Sequence, residues 1–367
     1  MALELRGRLG MGRSQTGTAR AVFTPAAFPP PYRLDPTALV ELARSHERHG
    51  LDAMLIAQNG SSADVWSLAA WSLAQTQRIT AVISHRPGLQ APTLAARAFA
   101  SLDQLSGGRV SLHVIQGSQD REQQRDGDLL DKPARYRRSG EYIEVFKRSL
   151  TATEPFDHDG EFYQVRQGWS QIRPLQTPLP FLSSAGASDA GIEFAAQHMD
   201  GYALFPEPLA QTAQLLARVR QAAARHGRTL RFWRDANFVL AATDAQAREK
   251  VERLAEDLLA RHAQQTDAGQ VESEGLKRVH HAARAQDWHD RALYTGLMKF
   301  GMGGPPFAGS PETVAAAVLD YYDLGIELFS VGFDGDPQPD SALAAELFDR
   351  LRAGAAARDR RAQKVTG

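Results

Sequence analysis

The chain has 367 residues, of which 43% are hydrophobic, 23% charged and 8% aromatic, a globular profile with ample apolar surface for a large core. Its 42 Lys and Arg against 43 Asp and Glu leave a formal charge of -1, without the basic excess that a nucleic-acid binder needs to neutralise phosphates. The absence of cysteine excludes disulfides, thiolate metal sites and cysteine nucleophiles.

No run approaches ~18 uninterrupted apolar residues, so no membrane span is expected. Met1 to Arg20 carries Arg6, Arg8, Arg13 and Arg20 without the apolar core of a signal peptide, and the expected location is the cytoplasm.

In chain order, short β-like runs alternate with helical patterns. Leu3 to Leu9 or Ala21 to Thr24 supplies the first strand. Val40, Leu42, Ala43 and Leu51 mark a helix, and Ala53 to Ala57 a strand. Asp64 to Ala74 reads as a helix, Ile79 to Ser84 as a strand, Pro92 to Leu105 as a helix and Val110 to Ile115 as a strand. Arg135 to Leu150 is amphipathic and helical. Leu179 to Ser183, Gly201 to Phe205, Leu230 to Ala241 and Leu328 to Gly332 read as strands. Leu209 to His226, Asp244 to His262 and Pro311 to Leu324 read as helices. Seven or eight such repeats point to a single closed (β/α)8 TIM-like barrel with insertions, spanning residues 1–352. A doubly wound open sheet is the competitor, disfavoured because no Gly-rich dinucleotide fingerprint follows the first strand.

Two segments break the rhythm. Asp157 to Val165 suggests a hairpin turning at Asp159-Gly160, within an insertion of about 155–168. Gln264 to Asp290 is polar, fits no barrel element, and reads either as an active-site lid or as a surface excursion. Residues 353–367 form a basic, frayed tail.

Leu105-Ser106-Gly107-Gly108-Arg109 reads as a structural corner, with glycines at a helix stop and an arginine able to bond nearby carbonyls. Ser183-Ser184-Ala185-Gly186-Ala187-Ser188-Asp189 joins a strand to a helix. It is either a phosphate cradle or ordinary helix capping by Ser188. His113 lies in an apolar strand that ends at Gln116-Gly117-Ser118, and serves the active-site mouth or the core. His85-Arg86-Pro87 ends another strand and could line the same mouth. His280, His281 and His289 lack carboxylates at ligand offsets, so no metal site is expected. Neither a G-x-S-x-G elbow, a Walker A loop nor an H-E-x-x-H stretch occurs.

Leu105 to Arg109, Gln116-Gly117-Ser118 and Ala134-Arg135-Tyr136-Arg137-Arg138-Ser139-Gly140-Glu141-Tyr142 resemble the bacterial luciferase-like flavin monooxygenases. Gly60 to Trp66, Arg86-Pro87, Pro92 to Arg97, Gly186 to Asp189 and Gly309 to Ala315 extend the similarity, which covers roughly Leu34 to Arg350. Within that superfamily the sequence is most similar to the alkanesulfonate monooxygenases.

The resemblance implies reduced FMN, supplied by an NAD(P)H-dependent FMN reductase, reacting with O2. A small organosulfur compound would be oxygenated, in the alkanesulfonate case releasing an aldehyde and sulfite. A homodimer or homotetramer is implied. So are two alternatives: a deazaflavin (F420)-dependent oxidoreductase on the same barrel, or a non-catalytic flavin-binding protein.

By the same resemblance, Gly186, Ala187 and Ser188 would hold the FMN phosphate with Tyr136, while Gln116 faces the flavin ring and Lys132 stands where relatives carry a histidine. Ser62 replaces an active-site cysteine, Asn237 a histidine, Asp235 an arginine, Asp334 a tyrosine and Phe205 a tryptophan. Phe300 falls near an expected arginine. A sulfonate requires compensating cations, for which Arg86, Arg231, Arg234 and Lys299 are candidates. Ser62, Asn237, Arg231 and Asp334 are the expected catalytic set. His85, Arg86, Phe205 and Asp235 are the expected substrate contacts. Any base would be Asp235, Asp334 or His85.

Overall fold

The structure is a computed structural model that describes residues 2–9, 33–117, 119–262, 273–300, 304–333 and 341–366. It begins β1 (Glu4–Leu9), α1 (Pro36–Arg48), β2 (Ala53–Ile56), α2 (Val65–Leu73), β3 (Thr80–His85), α3 (Pro92–Ser106) and β4 (Val110–Val114). Next come α4 (Asp120–Arg125), α5 (Lys132–Thr151), β5 (Phe156–Asp159), β6 (Gln164–Gly168), β7 (Leu182–Ala185), α6 (Asp189–His198), β8 (Gly201–Leu204), α7 (Leu209–Arg225) and β9 (Arg231–Leu240). The remainder is α8 (Asp244–His262), α9 (Glu274–Ala285), β10 (Trp288–His289), β11 (Leu293–Tyr294), β12 (Pro306–Gly309), α10 (Pro311–Asp323), β13 (Ile326–Phe333) and α11 (Ala342–Thr366).

Eight parallel strands close in the order β1, β2, β3, β4, β7, β8, β9, β13, with β13 paired back to β1. The expected barrel is therefore formed and the open sheet is excluded. The first strand comes from the Leu3 to Leu9 segment, while Ala21 to Thr24 lies outside the described residues.

Local chemistry sets the element boundaries. Asp131 accepts the Ala134 N–H at 2.8 Å, so α5 starts at Lys132 rather than Arg135, with Pro133 in the first turn where it interrupts no helical bond. Gly107, at φ 71°, ends α3. The Arg109 guanidinium then donates to the carbonyls of Leu73 at 3.0 Å and Ile79 at 3.1 Å, binding the end of α2 to the start of β3. The hairpin β5–β6 turns through Gly160 to Tyr163, a longer connection than a two-residue Asp-Gly turn.

Three further regions differ from the sequence reading. Residues 353–366 are not a frayed tail, because α11 continues to Thr366 and is held by Leu351 and Ala355 in the core and by an Arg358–Asp323 pair at 2.8 Å. The polar insertion contains α9, whose Leu276, Val279, Ala282 and Ala283 form one apolar face at helical spacing. Residues 263–272 of the insertion lie outside the described residues. The strand β12 was concealed by its Pro305-Pro306 start. It pairs with Asn237 to Leu240 while β13 also pairs with Asn237 and Phe238, so β12 takes the edge of β9 that β8 occupies lower down.

Strand alternation divides each barrel strand between two environments. β1 sends Leu5 and Leu9 into the core between sheet and helices. Its Arg6 and Arg8 point into the barrel, where Arg6 lies 4.8 Å from the Trp233 ring centroid. Trp233 packs there with Ala53, Val82 and Leu328. His113 also faces inward, 3.1 Å from Ser183 Oγ and edge-on to Trp233. It is thus a partnered interior histidine beneath the mouth.

Burial pushes His85 down to about 4 and His113 to about 3, the latter helped by the positive charge of Arg6. Both are neutral in the fold, whereas the unfolded chain protonates them near 6.5. Unfolding at intermediate pH therefore takes up protons, and the stability contributed by the neutral rings is full above pH 6.5 and is lost as pH falls toward 4. Each such proton is worth at most about 1.4 kcal/mol per pH unit. Denaturant titrations between pH 6.5 and 4.5 should show this decline, and His113→Asn should reduce its slope by about one proton.

Candidate functional site

The C-terminal ends of the strands open into a mouth whose wall can be followed strand by strand. This is the rim at which barrel proteins place their functional groups. The loop after β7 carries Gly186 at φ 137°, Ala187, and Ser188 as the N-cap of α6. Ser188 Oγ accepts the Gly191 N–H at 3.2 Å. Tyr136, from the second turn of α5, places its hydroxyl against the Ser188 side chain. Tyr202 donates to the Gly186 carbonyl at 2.8 Å from the other side. A Cβ on Gly186 would lie 2.7 Å from the Tyr136 hydroxyl, so only glycine lets the tyrosine approach this turn. The structure thus brings Tyr136, Gly186, Ala187 and Ser188 together at a helix N-terminus, where backbone N–H groups and the helix dipole favour an anion.

Gln116 borders the same quadrant. Its carbonyl accepts from Arg135 Nε of α5 at 2.9 Å, and its side-chain Nε2 is buried without a partner among the described residues. Lys132 opens α5 and acts electrostatically on Glu274, the first residue of α9. Ser118 lies outside the described residues. An anionic nucleotide tail fits this corner: a hydroxyl-bearing turn, a tyrosine against it and an unsatisfied amide donor nearby.

A second quadrant is built by the loop after β2. Ser62 Oγ donates to the Asn59 carbonyl at 3.0 Å and accepts the Asn59 N–H at 3.1 Å. The loop lines a cavity of about 230 Å³ with Gln58, Asn59, Asp64 and Asp126. Arg86 lies beneath it, 4% exposed, and bonds Glu122 at 2.5 Å and Asp126 at 2.9 Å. A hydroxyl already engaged in a tight turn is no base near neutral pH.

The third quadrant contains a residue that sequence reasoning missed. Arg8, from the upper end of β1, donates from Nη1 to Asn237 Oδ1 at 2.7 Å and forms an ion pair through Nη2 with Asp235 at 3.2 Å. Gly332 of β13 makes room, since a Cβ there would sit 2.7 Å from Arg8 Nη1. The signal was present as an arginine alternating with apolar residues in the first strand, but it was read only as a charge near the N-terminus. Asp334 lies outside the described residues, as does the side chain of Phe300.

Three expected contacts are corrected by strand parity and level, and a fourth cation is already paired. His85 does not line the mouth. It points outward, 2.7 Å from the Tyr142 hydroxyl and edge-on to Trp66, and burial holds it neutral at about 4. Arg231 is at the opposite end of the barrel, because it opens β9; it pairs with Glu4 and Glu327. Arg234 points outward against Tyr321 of α10 and Phe307 of β12. Lys299 is paired with Asp287 at 2.5 Å.

Phe205, just past β8, is covered by the insertion. It packs with Leu276, Val279 and Ala283 of α9 and with Met298. Arg278 of α9 forms a two-pronged ion pair with Glu207, both bonds 2.6 Å, and the Glu207 carboxylate is buried. Removing one partner of such a pair strands the other, at about 3–5 kcal/mol. The helix is therefore fastened beside the mouth by apolar packing and charge together.

A closed parallel barrel with an anion-favouring corner and a polar wall at the C-terminal ends of its strands defines an α/β-barrel enzyme. The chain belongs to the luciferase-like monooxygenase family, whose model matches residues 17–328. Its fold is similar to that of the riboflavin lyase RcaE, solved with modified FMN and riboflavin (18% identity over 98% of this chain and 92% of the other, TM-score 0.74). It is also similar to the EDTA monooxygenase EmoA from Chelativorans sp. BNC1 (17% identity, 98% and 95% coverage, TM-score 0.73). An F420-dependent secondary alcohol dehydrogenase shares the fold as well (16% identity, 97% and 99% coverage, TM-score 0.68).

Gly186→Ala should destabilise the fold by about 1–3 kcal/mol, since it places a side chain at a positive φ and against Tyr136. Chemical denaturation of the two proteins measures the difference.

Proposed function

We propose that the protein is a reduced-FMN-dependent two-component monooxygenase that uses O2 to oxygenate a small organosulfur compound. Its flavin would come from an NAD(P)H-dependent FMN reductase. The enzyme would work in the cytoplasm as a homodimer or homotetramer. Family membership supports the oxygenase class. The observation that carries the cofactor reading is the Tyr136–Gly186–Ser188 corner at the start of α6.

When bound, the reduced flavin supplies the electrons that activate O2. The chain's own contribution is binding, orientation and exclusion of water. Tyr136 and Ser188 would donate their hydroxyl protons to the phosphate. The unsatisfied Gln116 Nε2–H would meet an acceptor on the ring. The α9 helix, fastened over Phe205, would limit solvent access to the reacting centre. Asp235 would serve as a proton acceptor at the mouth, while Asn237 orients Arg8 through Oδ1.

The F420 reading is favoured by the likeness to an F420-dependent enzyme, and the same experiment decides between the two cofactors. Anaerobic titrations with reduced FMN and reduced F420, followed by oxygen uptake across an organosulfur panel, should show tighter FMN binding and substrate-dependent product. Tighter F420 binding would favour the dehydrogenase-like reading, and flavin binding without product would favour a non-catalytic binder. Tyr136→Phe should weaken FMN binding by roughly tenfold, the worth of one charge-assisted hydrogen bond, and leave riboflavin binding unchanged.

A further inference from the structure

The polar wall opposite the flavin corner has a charge balance that bears on the substrate. Arg8 has five N–H donors in a fixed fork. Among the described residues one Nη1–H is bonded to Asn237 at 2.7 Å and one Nη2–H to the Ser330 carbonyl at 3.4 Å, and Nη2 also forms an ion pair with Asp235 at 3.2 Å. Among the described residues, Nε–H and the second Nη1–H meet no acceptor. The side chain is 25% exposed and Asp235 39% exposed, so a ligand can reach both. Arg8 is also held in place: β1, β9 and β13 all contribute to its seat, and Gly332, lacking a Cβ, leaves space for the guanidinium. Among the described residues, a second arginine near the mouth, Arg86, is bonded to two carboxylates.

A sulfonate needs a net positive pocket once it leaves water. Beside Arg8 it would meet a guanidinium whose charge Asp235 already cancels, and it would approach the Asp235 carboxylate itself. A neutral acceptor meets neither penalty and can take the two remaining N–H groups. We propose that Arg8, seated by Asp235 and Asn237, is the specificity-determining residue of the mouth, selecting an uncharged substrate with a hydrogen-bond-accepting oxygen or sulfur over an alkanesulfonate. This rests on the monooxygenase reading above and names the substrate class for that site.

Dimethyl sulfone and methanesulfonate test it, because they have nearly the same shape and differ in charge. Their binding to the full chain is measured by calorimetric or NMR titration, with and without FMN. The wild type should bind the sulfone at least tenfold more tightly. Asp235→Asn, which removes the charge and little volume, should reduce that preference at least tenfold by strengthening methanesulfonate binding. Arg8→Met should weaken sulfone binding severalfold. Should Arg8→Met fail to fold, the near-isosteric Asp235→Asn still decides. Preference of the wild type for methanesulfonate, an unchanged ratio in Asp235→Asn, or no binding of either probe would overturn the proposal. FMN binding, measured on the same samples, reports separately on the cofactor reading, so a protein that binds no flavin but discriminates the probes would fail only the latter.

Discussion

Side-chain alternation along a closed barrel is the constraint on which this site depends. Each strand residue faces either the helix layer or the barrel interior, and one step along the chain reverses the direction. Closure turns that local rule into a global one, because registration with both neighbours fixes the level of every residue above or below the mouth. Arg8 and Asp235 meet because both are inward-facing near the tops of β1 and β9. Arg234, one residue before Asp235, faces the opposite way and is buried against Tyr321. His85 and Arg86 divide in the same manner, the histidine toward α5 and the arginine toward Glu122 and Asp126.

The interior that results carries several polar side chains. Arg6, His113 and Ser183 occupy positions where apolar side chains would pack as well, and Trp233 supplies much of the apolar contact between them. Burial answers each polar group with a neutral state or a partner: His113 loses its proton, and Arg6 holds Glu4 at 2.7 Å. The polarity continues upward into the mouth through Arg8, Asp235 and Asn237. The opposite wall is made from backbone, with Gly186 and the first turn of α6 between two tyrosines. One side of the mouth therefore offers fixed N–H groups and hydroxyls, and the other a neutralised charge pair.

Much of the fold was legible because strand runs such as Ile79 to Ser84 and Val110 to Ile115 are short and mostly apolar, as strands buried on both faces are. The loop Gly186 to Ser188 and Tyr136 could be singled out by the small residues before a helix and by the family resemblance. Direction was not legible. Nothing in the local sequence around His85 or Arg231 states which face is inward or which end of the barrel is near, since both follow from pairing across the closed sheet. Arg8 was missed for the same reason, its partners being more than two hundred residues away. The helix α9 was obscured by the lysine, arginine and histidines on its exposed side, although Ser273 as N-cap and the Leu276–Val279–Ala283 spacing carried a signal.

The central claim is that a flavin nucleotide is held at the barrel mouth with its phosphate at the start of α6. A crystal structure of the protein with FMN measures this directly. Phosphate density within hydrogen-bond reach of the Tyr136 hydroxyl and Ser188 Oγ, with the ring system toward Gln116, is the expected result. A phosphate bound at another part of the rim, or a mouth that excludes the flavin at saturating concentration, would contradict the account.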